Sequence, residues 1–172
     1  MHNLVNRARQ FAAIAHQGQL RKYTEAPYIE HPEAVAAIVA SVTADPCIIA
    51  AALLHDVVED TPIQLDDIDR IFGHRVMELV EQVTDVSRPS DGNRKARKDL
   101  DRLHLAKADP DGQTIKLADL IDNIGSIVSH DPGFARVYMA EKRELLAVLT
   151  AGHPTLLARA TAIVDGYFAK EG

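Results

Sequence analysis

Apolar residues recur along this chain at three- and four-residue spacing, and nowhere do they alternate with polar ones for long. Residues 3–17 place Leu4, Phe11, Ile14 and Ala15 on one predicted helical stripe. The next stretch, GQLRKYTEAPYIEHP at 18–32, loses that period and contains Gly18, Pro27 and Pro32, so a loop rich in polar groups is expected. A helix is predicted from Pro32 to Val42. Asp45 followed by Pro46 reads as a cap with proline in the first turn, opening a helix that runs to Asp60 and stops at Thr61-Pro62. Further helices are predicted over 66–72, closed by Gly73, and over 74–86. After the loop RPSDGN at 88–93 come helices over 94–107, 114–129, 134–149 and 154–168, with a break at 130–133. The expectation is an all-α fold of about eight to ten helices, without a sheet, forming one compact domain over residues 1–172.

Composition narrows the picture. A chain of 172 residues with 47% hydrophobic and 26% charged residues has the balance of a globular domain, not of a disordered one. The single cysteine, Cys47, excludes an intrachain disulfide framework and points to a reducing compartment. No signal-like or membrane-spanning apolar run occurs, so a soluble cytoplasmic protein is expected. A net charge of −6 argues against a nucleic-acid or membrane-surface partner and leaves the oligomeric state open. One local exception is RKARKDLDRLHLAK, residues 94–107, where six basic residues face two acidic ones. It reads either as a solvated helix face or as a basic wall beside an anionic ligand.

The candidate chemistry lies in LLHDVVEDTP, residues 53–62. Four ionisable side chains, His55, Asp56, Glu59 and Asp60, sit within an apolar stretch where each is costly without compensation. On a continuous helix, His55 stacks over Glu59 and Asp56 over Asp60, and all four fan over about one third of the circumference. A divalent cation such as Mn²⁺, Fe²⁺ or Zn²⁺ would relieve that crowding, with His55 and Asp56 as ligands and Glu59 and Asp60 beside it. Two ligands are too few. His31, in the loop before Pro32, is a candidate, with an ordinary surface histidine as the alternative. Asp119, among Leu117, Ala118 and Leu120, is a second, with a buried pair with Asn123 as its alternative.

AHQGQLRK, PYIEHP, AALLHDVVEDT and KLADLIDN, in that order, resemble the hydrolase domain of the RelA/SpoT-homologue family within the HD superfamily, and more narrowly its small stand-alone alarmone hydrolases. The likeness runs from Phe11 to Leu149. It implies an HD-type helical domain whose four metal ligands are His31, His55, Asp56 and Asp119, with one Mn²⁺ per chain as the usual ion. It implies Glu59 and Asp60 as the catalytic acidic pair, and Asn123, Arg21, Lys22 and a cleft-facing Tyr138 as contacts to a small nucleotide substrate. No synthetase segment follows within these residues, so hydrolysis rather than synthesis is expected. Two positions depart from the pattern. Gly125 stands where many relatives carry arginine, and Leu120 where they often carry a basic residue. Phosphate recognition is therefore expected to fall to Arg94, Lys95, Arg97, Lys98 and Lys116. The expected activity is metal-dependent release of pyrophosphate from guanosine 3′,5′-bis(diphosphate) or its pentaphosphate. The alternatives are the adenosine counterpart, the 2′-phosphate of NADPH, or a nucleotide sensor without turnover.

Overall fold

Residues 46–54 read PCIIAAALL, apolar on every side, and a helix of that kind must be surrounded. A computed structural model describes residues 2–171, and in it this segment is the central helix of the chain's first half. The elements leading to it are α1 (His2–Ala15), α2 (Glu30–Ala40) and α3 (Pro46–Leu54). Those that follow are α4 (Val57–Asp60), α5 (Leu65–Phe72) and α6 (His74–Val83). Asp45 starts α3 by accepting the Cys47 amide at 2.8 Å, with Pro46 in the first turn. Helices α1, α2 and α6 then pack around α3 and bury Ile48 and Ala50 to Leu54. Gly73, at φ 92°, supplies the left-handed backbone that joins α5 to α6 without further residues.

The chain divides into two compact units, one up to Thr84 and one from Asp85. The second holds a short 3-10 turn, Pro89–Asp91, then α7 (Arg94–Leu105), α8 (Pro110–His130), α9 (Pro132–Leu146) and α10 (Pro154–Glu171). Here α8 is central, burying Ile115, Leu117, Ala118, Leu120, Ile121 and Ile124 against α9 and α10. Helix α10 answers with Leu156, Ala160 and Val164, spaced at four-residue intervals along one face.

Among the described residues the fold is helical, with a single isolated bridge, Leu20 to Pro27, in place of any sheet. Four expectations need correction. The helix predicted over 46–60 is two: hydrogen bonding breaks at His55 and Asp56, so the four ionisable groups do not share one continuous helix. His31 lies in the first turn of α2, not in the loop, because the turn starts before Pro32 and proline is tolerated there. Helix α8 starts at Pro110, where Asp109 caps the amides of Asp111 and Gly112, repeating the Asp-Pro signal of α3. Ile14 is 73% exposed; the buried face of α1 centres on Ala8 and Ala12. At 100° per residue Ile14 points about 140° away from them.

The turn between α9 and α10 is pinned to the start of α8. Gln113 Oε1 accepts the Ala151 amide at 2.8 Å and Thr114 Oγ1 accepts the His153 amide at 2.9 Å. Gly152 lies so close that a Cβ would stand 2.6 Å from Leu117 Cδ1 and 3.2 Å from the Gln113 carbonyl carbon. Gly152→Ala is therefore expected to destabilise the protein by about 1–3 kcal/mol through overpacking. Urea unfolding of the two proteins side by side measures this, and equal midpoints would contradict it.

Candidate metal centre

The alanine-and-leucine end of α3, residues 50–54, delivers His55 and Asp56 at the point where that helix breaks. The backbone stays right-handed there, at φ −58°, ψ −34° for His55 and φ −97°, ψ −5° for Asp56. His55 is 2% exposed, and its Nδ1 lies 2.8 Å from the Ala52 carbonyl. A carbonyl only accepts, so Nδ1 carries the proton, and in the neutral ring Nε2 presents a lone pair. That Nε2 is 3.1 Å from Asp56 Oδ2. His31, also 2% exposed, brings its Nε2 to 3.5 Å from the same oxygen.

His31, His55 and Asp56 each offer one ligand atom, all within 4.8 Å of one another. A lone pair set against a carboxylate oxygen is repulsive unless a proton or a cation lies between them. Two imidazoles and a carboxylate form a donor set suited to a borderline divalent metal, so the residues fit one.

Tyr28 closes the group from the loop side. Its hydroxyl donates to Asp56 Oδ2 at 2.6 Å, and its ring meets His16 at 4.8 Å and His31 at 5.9 Å. Burial first, then the negative charge of Asp56 and Asp60, holds the phenol's proton far above the ordinary tyrosine range. Glu59 and Asp60 follow on α4 as exposed residues. The Asp60 carboxyl is nonetheless partly enclosed, and that burial, with Asp56 nearby, raises its pKa above the usual value. On the same loop Arg21 is half-buried, while Lys22 is exposed and held over the Tyr23 ring at 4.8 Å.

The remaining predicted residues belong to the second unit. Asp119 is buried on α8, accepting from Asn123 Nδ2 at 2.6 Å and pairing with Lys116 Nζ at 3.0 Å. The buried pair with Asn123, the alternative reading of Asp119, is present. Tyr138 is buried, and burial together with Asp119 raises its pKa. Lys142 Nζ sits over its ring at 4.6 Å.

A cavity of about 590 Å³ is lined in part by Lys98, Lys116, Arg136 and Lys142 with Asp85 and Glu141. The basic run of α7 is not an open positive wall. Arg94 forks onto Glu141 at 2.7 and 2.9 Å, and Lys95 pairs with Asp99 at 2.7 Å. Lys98 pairs with Asp85 at 2.8 Å and Asp101 at 3.3 Å, and Arg102 with Asp99 and Glu144. Arg97 is half-buried, with its Nε lacking a hydrogen-bond partner among the described residues.

The profile of the HD domain family matches residues 8–153, which include every residue named at the centre. The chain belongs to the HD domain family. Among its relatives is the guanosine-3′,5′-bis(diphosphate) 3′-pyrophosphohydrolase MESH1 of Drosophila melanogaster. The two are 38% identical over 126 residues, 72% of this chain and 69% of that protein. A probable enzyme of the same description from Synechocystis is 38% identical over 151 residues, 86% of this HD-domain chain but 20% of the relative. The HD-domain chain thus spans about one fifth or less of the first longer relatives it matches. A solved structure described as a metazoan ortholog of SpoT that hydrolyzes ppGpp superposes with a TM-score of 0.85. It is 29% identical, covering 99% of this chain and 96% of that one.

Two residues of the HD-domain chain escaped sequence reasoning. Tyr28 lies in the quoted PYIEHP segment, but nothing in spacing says its hydroxyl meets Asp56. Lys142 follows Tyr138 by one helical turn, a signal that went unused. Its amine is enclosed, and burial with Lys116 beside it lowers the pKa to about 8, against the attraction of Asp119. With a folded pKa of about 8 below the ordinary 10.5, the unfolded chain binds more protons in between, so stability rises with pH across that window. Lys142→Met is expected to flatten this rise, whose ceiling is about 3 kcal/mol. Urea unfolding between pH 7.5 and 10.5 checks it, and parallel curves for both proteins would contradict it.

Proposed function

We propose that this chain is a divalent-metal-dependent nucleotide 3′-pyrophosphohydrolase, acting on guanosine 3′,5′-bis(diphosphate) with Mn²⁺ as its metal. The observation that carries the reading is the convergence of His31, His55 and Asp56, followed one turn later by Glu59 and Asp60. MESH1, 38% identical over most of its length, bears that activity in its name. Asp119 enters as a fourth ligand on the shared motif order and on its own buried carboxylate. The reading places the enzyme in the cytoplasm, where a free Cys47 stays reduced. Among the described residues no helix is long and apolar enough to cross a membrane.

A bound divalent metal supplies Lewis acidity and a water of lowered pKa. His31, His55 and Asp56 hold and orient the ion, and the Ala52 carbonyl fixes the His55 tautomer. Glu59 takes the proton of the attacking water and returns one to the leaving group, while Asp60 orients Glu59 or the water. Asn123, Lys116 and Tyr138 contact phosphate or ribose oxygens, and Arg21, Lys22, Arg97 and Lys98 offset the charge of the leaving pyrophosphate.

One observation favours a second substrate. Gly125 is exposed, and a Cβ there would meet nothing within 4 Å, so the fold leaves that position open and uncharged. Leu120 is buried in the core of the second unit, where a cation would be costly. Two basic positions of the family pattern are thus without charge, and the adenosine counterpart or the 2′-phosphate of NADPH becomes the alternative substrate. Side-by-side kcat/KM values on the three nucleotides rank them. A sensor without turnover would bind nucleotide tightly and release nothing with any divalent metal.

Metal-stripped protein should release pyrophosphate from guanosine 3′,5′-bis(diphosphate) only after Mn²⁺ is restored; release without metal would sink the reading. Asp56→Ala should lose metal and turnover together. Glu59→Gln should keep the metal while kcat falls roughly 10²- to 10⁴-fold, and full turnover in that variant would remove Glu59 from the mechanism.

A further inference from the structure

The loop of residues 16–28 carries polar side chains that the mechanism above does not use. His16 is 2% exposed, with Nδ1 2.8 Å from Gln19 Oε1. Gln19 donates its Nε2 to the Asp60 carbonyl at 3.0 Å, and its own carbonyl accepts the Tyr28 amide at 3.0 Å. The Leu20–Pro27 bridge and the Arg21 amide, 2.8 Å from the Ala26 carbonyl, close this hairpin-like turn. The Tyr28 carbonyl accepts the His31 amide at 2.9 Å, so the same residue also starts the turn that presents His31.

From this geometry we infer that Tyr28 is a positioning residue for the metal centre: its hydroxyl holds Asp56 Oδ2 in the ligand orientation. The inference rests on the metal-dependent reading above.

Three observations support it. The 2.6 Å bond goes to the one Asp56 oxygen that faces both imidazoles. A carboxylate oxygen has lone pairs for a hydroxyl and a cation together, so the bond orients the ligand without displacing a metal. Asp60 is held from the same loop, with Gln19 Nε2 donating to its backbone carbonyl at 3.0 Å. Finally, the Tyr28 ring is wedged between His16 and His31, so its hydroxyl has little freedom to swing away.

Tyr28→Phe keeps the ring and removes only the hydroxyl. Calorimetric titration of metal-stripped protein with Mn²⁺ is expected to show affinity weakened roughly 10- to 100-fold, the range for partners of metal ligands. At saturating Mn²⁺, kcat should still fall, with KM within a factor of about two, because the Asp56 carboxylate loses its fixed orientation while substrate contacts remain. Circular dichroism and the melting temperature of the metal-free variant should match the wild type, which separates positioning from unfolding. Tyr28→Ala, which also removes the ring, should lose at least as much affinity. Wild-type Mn²⁺ affinity and kcat in Tyr28→Phe would overturn the inference while leaving the metal-dependent reading intact. A wild-type protein that binds no Mn²⁺ and releases no pyrophosphate would overturn both.

Discussion

His55 gives one ring nitrogen to the Ala52 carbonyl and thereby leaves the other facing Asp56 Oδ2 at 3.1 Å. In the neutral ring this is an arrangement of two electron-rich atoms, inside a protein, that calls for positive charge between them. The geometry of the first unit can be understood as support for that contact. Helix α3 is apolar all round, so it is enclosed by α1, α2 and α6 and its end cannot shift. The break at its end makes Asp56 the cap of α4, its carbonyl accepting the Asp60 amide at 3.0 Å, while keeping its side chain near His55. Helix α2 begins early enough to bring His31 to the same oxygen.

The proposed division between holding and reacting groups agrees with exposure. His31 and His55 are buried and make contacts that fix ring orientation, as ligands require. Glu59 and Asp60 stand on the single turn of α4, exposed and able to meet a nucleotide and exchange protons with water. The loop of residues 16–28 joins the two groups by touching Asp56 through Tyr28 and Asp60 through Gln19. Loops gain such roles when their own backbone is secured, and here the Leu20–Pro27 bridge does so.

Charge is arranged differently in the second unit. Six cations in residues 94–107 read as either a solvated helix face or a basic wall, and in the fold Arg94, Lys95, Lys98 and Arg102 are matched by carboxylates. Asp101 also accepts the Val86 and Ser87 amides at 3.1 and 2.9 Å, so part of this network holds the chain entering the unit. In the cavity lined by Lys98, Lys116 and Lys142, Lys98 and Lys116 already have carboxylate partners in Asp85, Asp101 and Asp119.

Local physics was sufficient for much of this protein. Proline after aspartate marks the start of α3, glycine marks the junction of α5 and α6, and the apolar period marks all-helical structure. These features act over a few residues and need no partner. The same holds for the pairing of His55-Asp56 with Glu59-Asp60, whose cost in an apolar stretch is a property of the residues themselves. What spacing could not decide was where α3 breaks, which side of α1 is inside, and which charges on α7 are already matched. Ile14 is exposed despite its helical spacing because the buried side of a helix is chosen by what packs against it. Tyr28 and Lys142 take their importance from side chains distant in sequence, Asp56 for the one and Lys116 for the other. Only the folded chain brings those groups within range, because hydrogen bonds and desolvation depend on distance in space and not on separation along the chain.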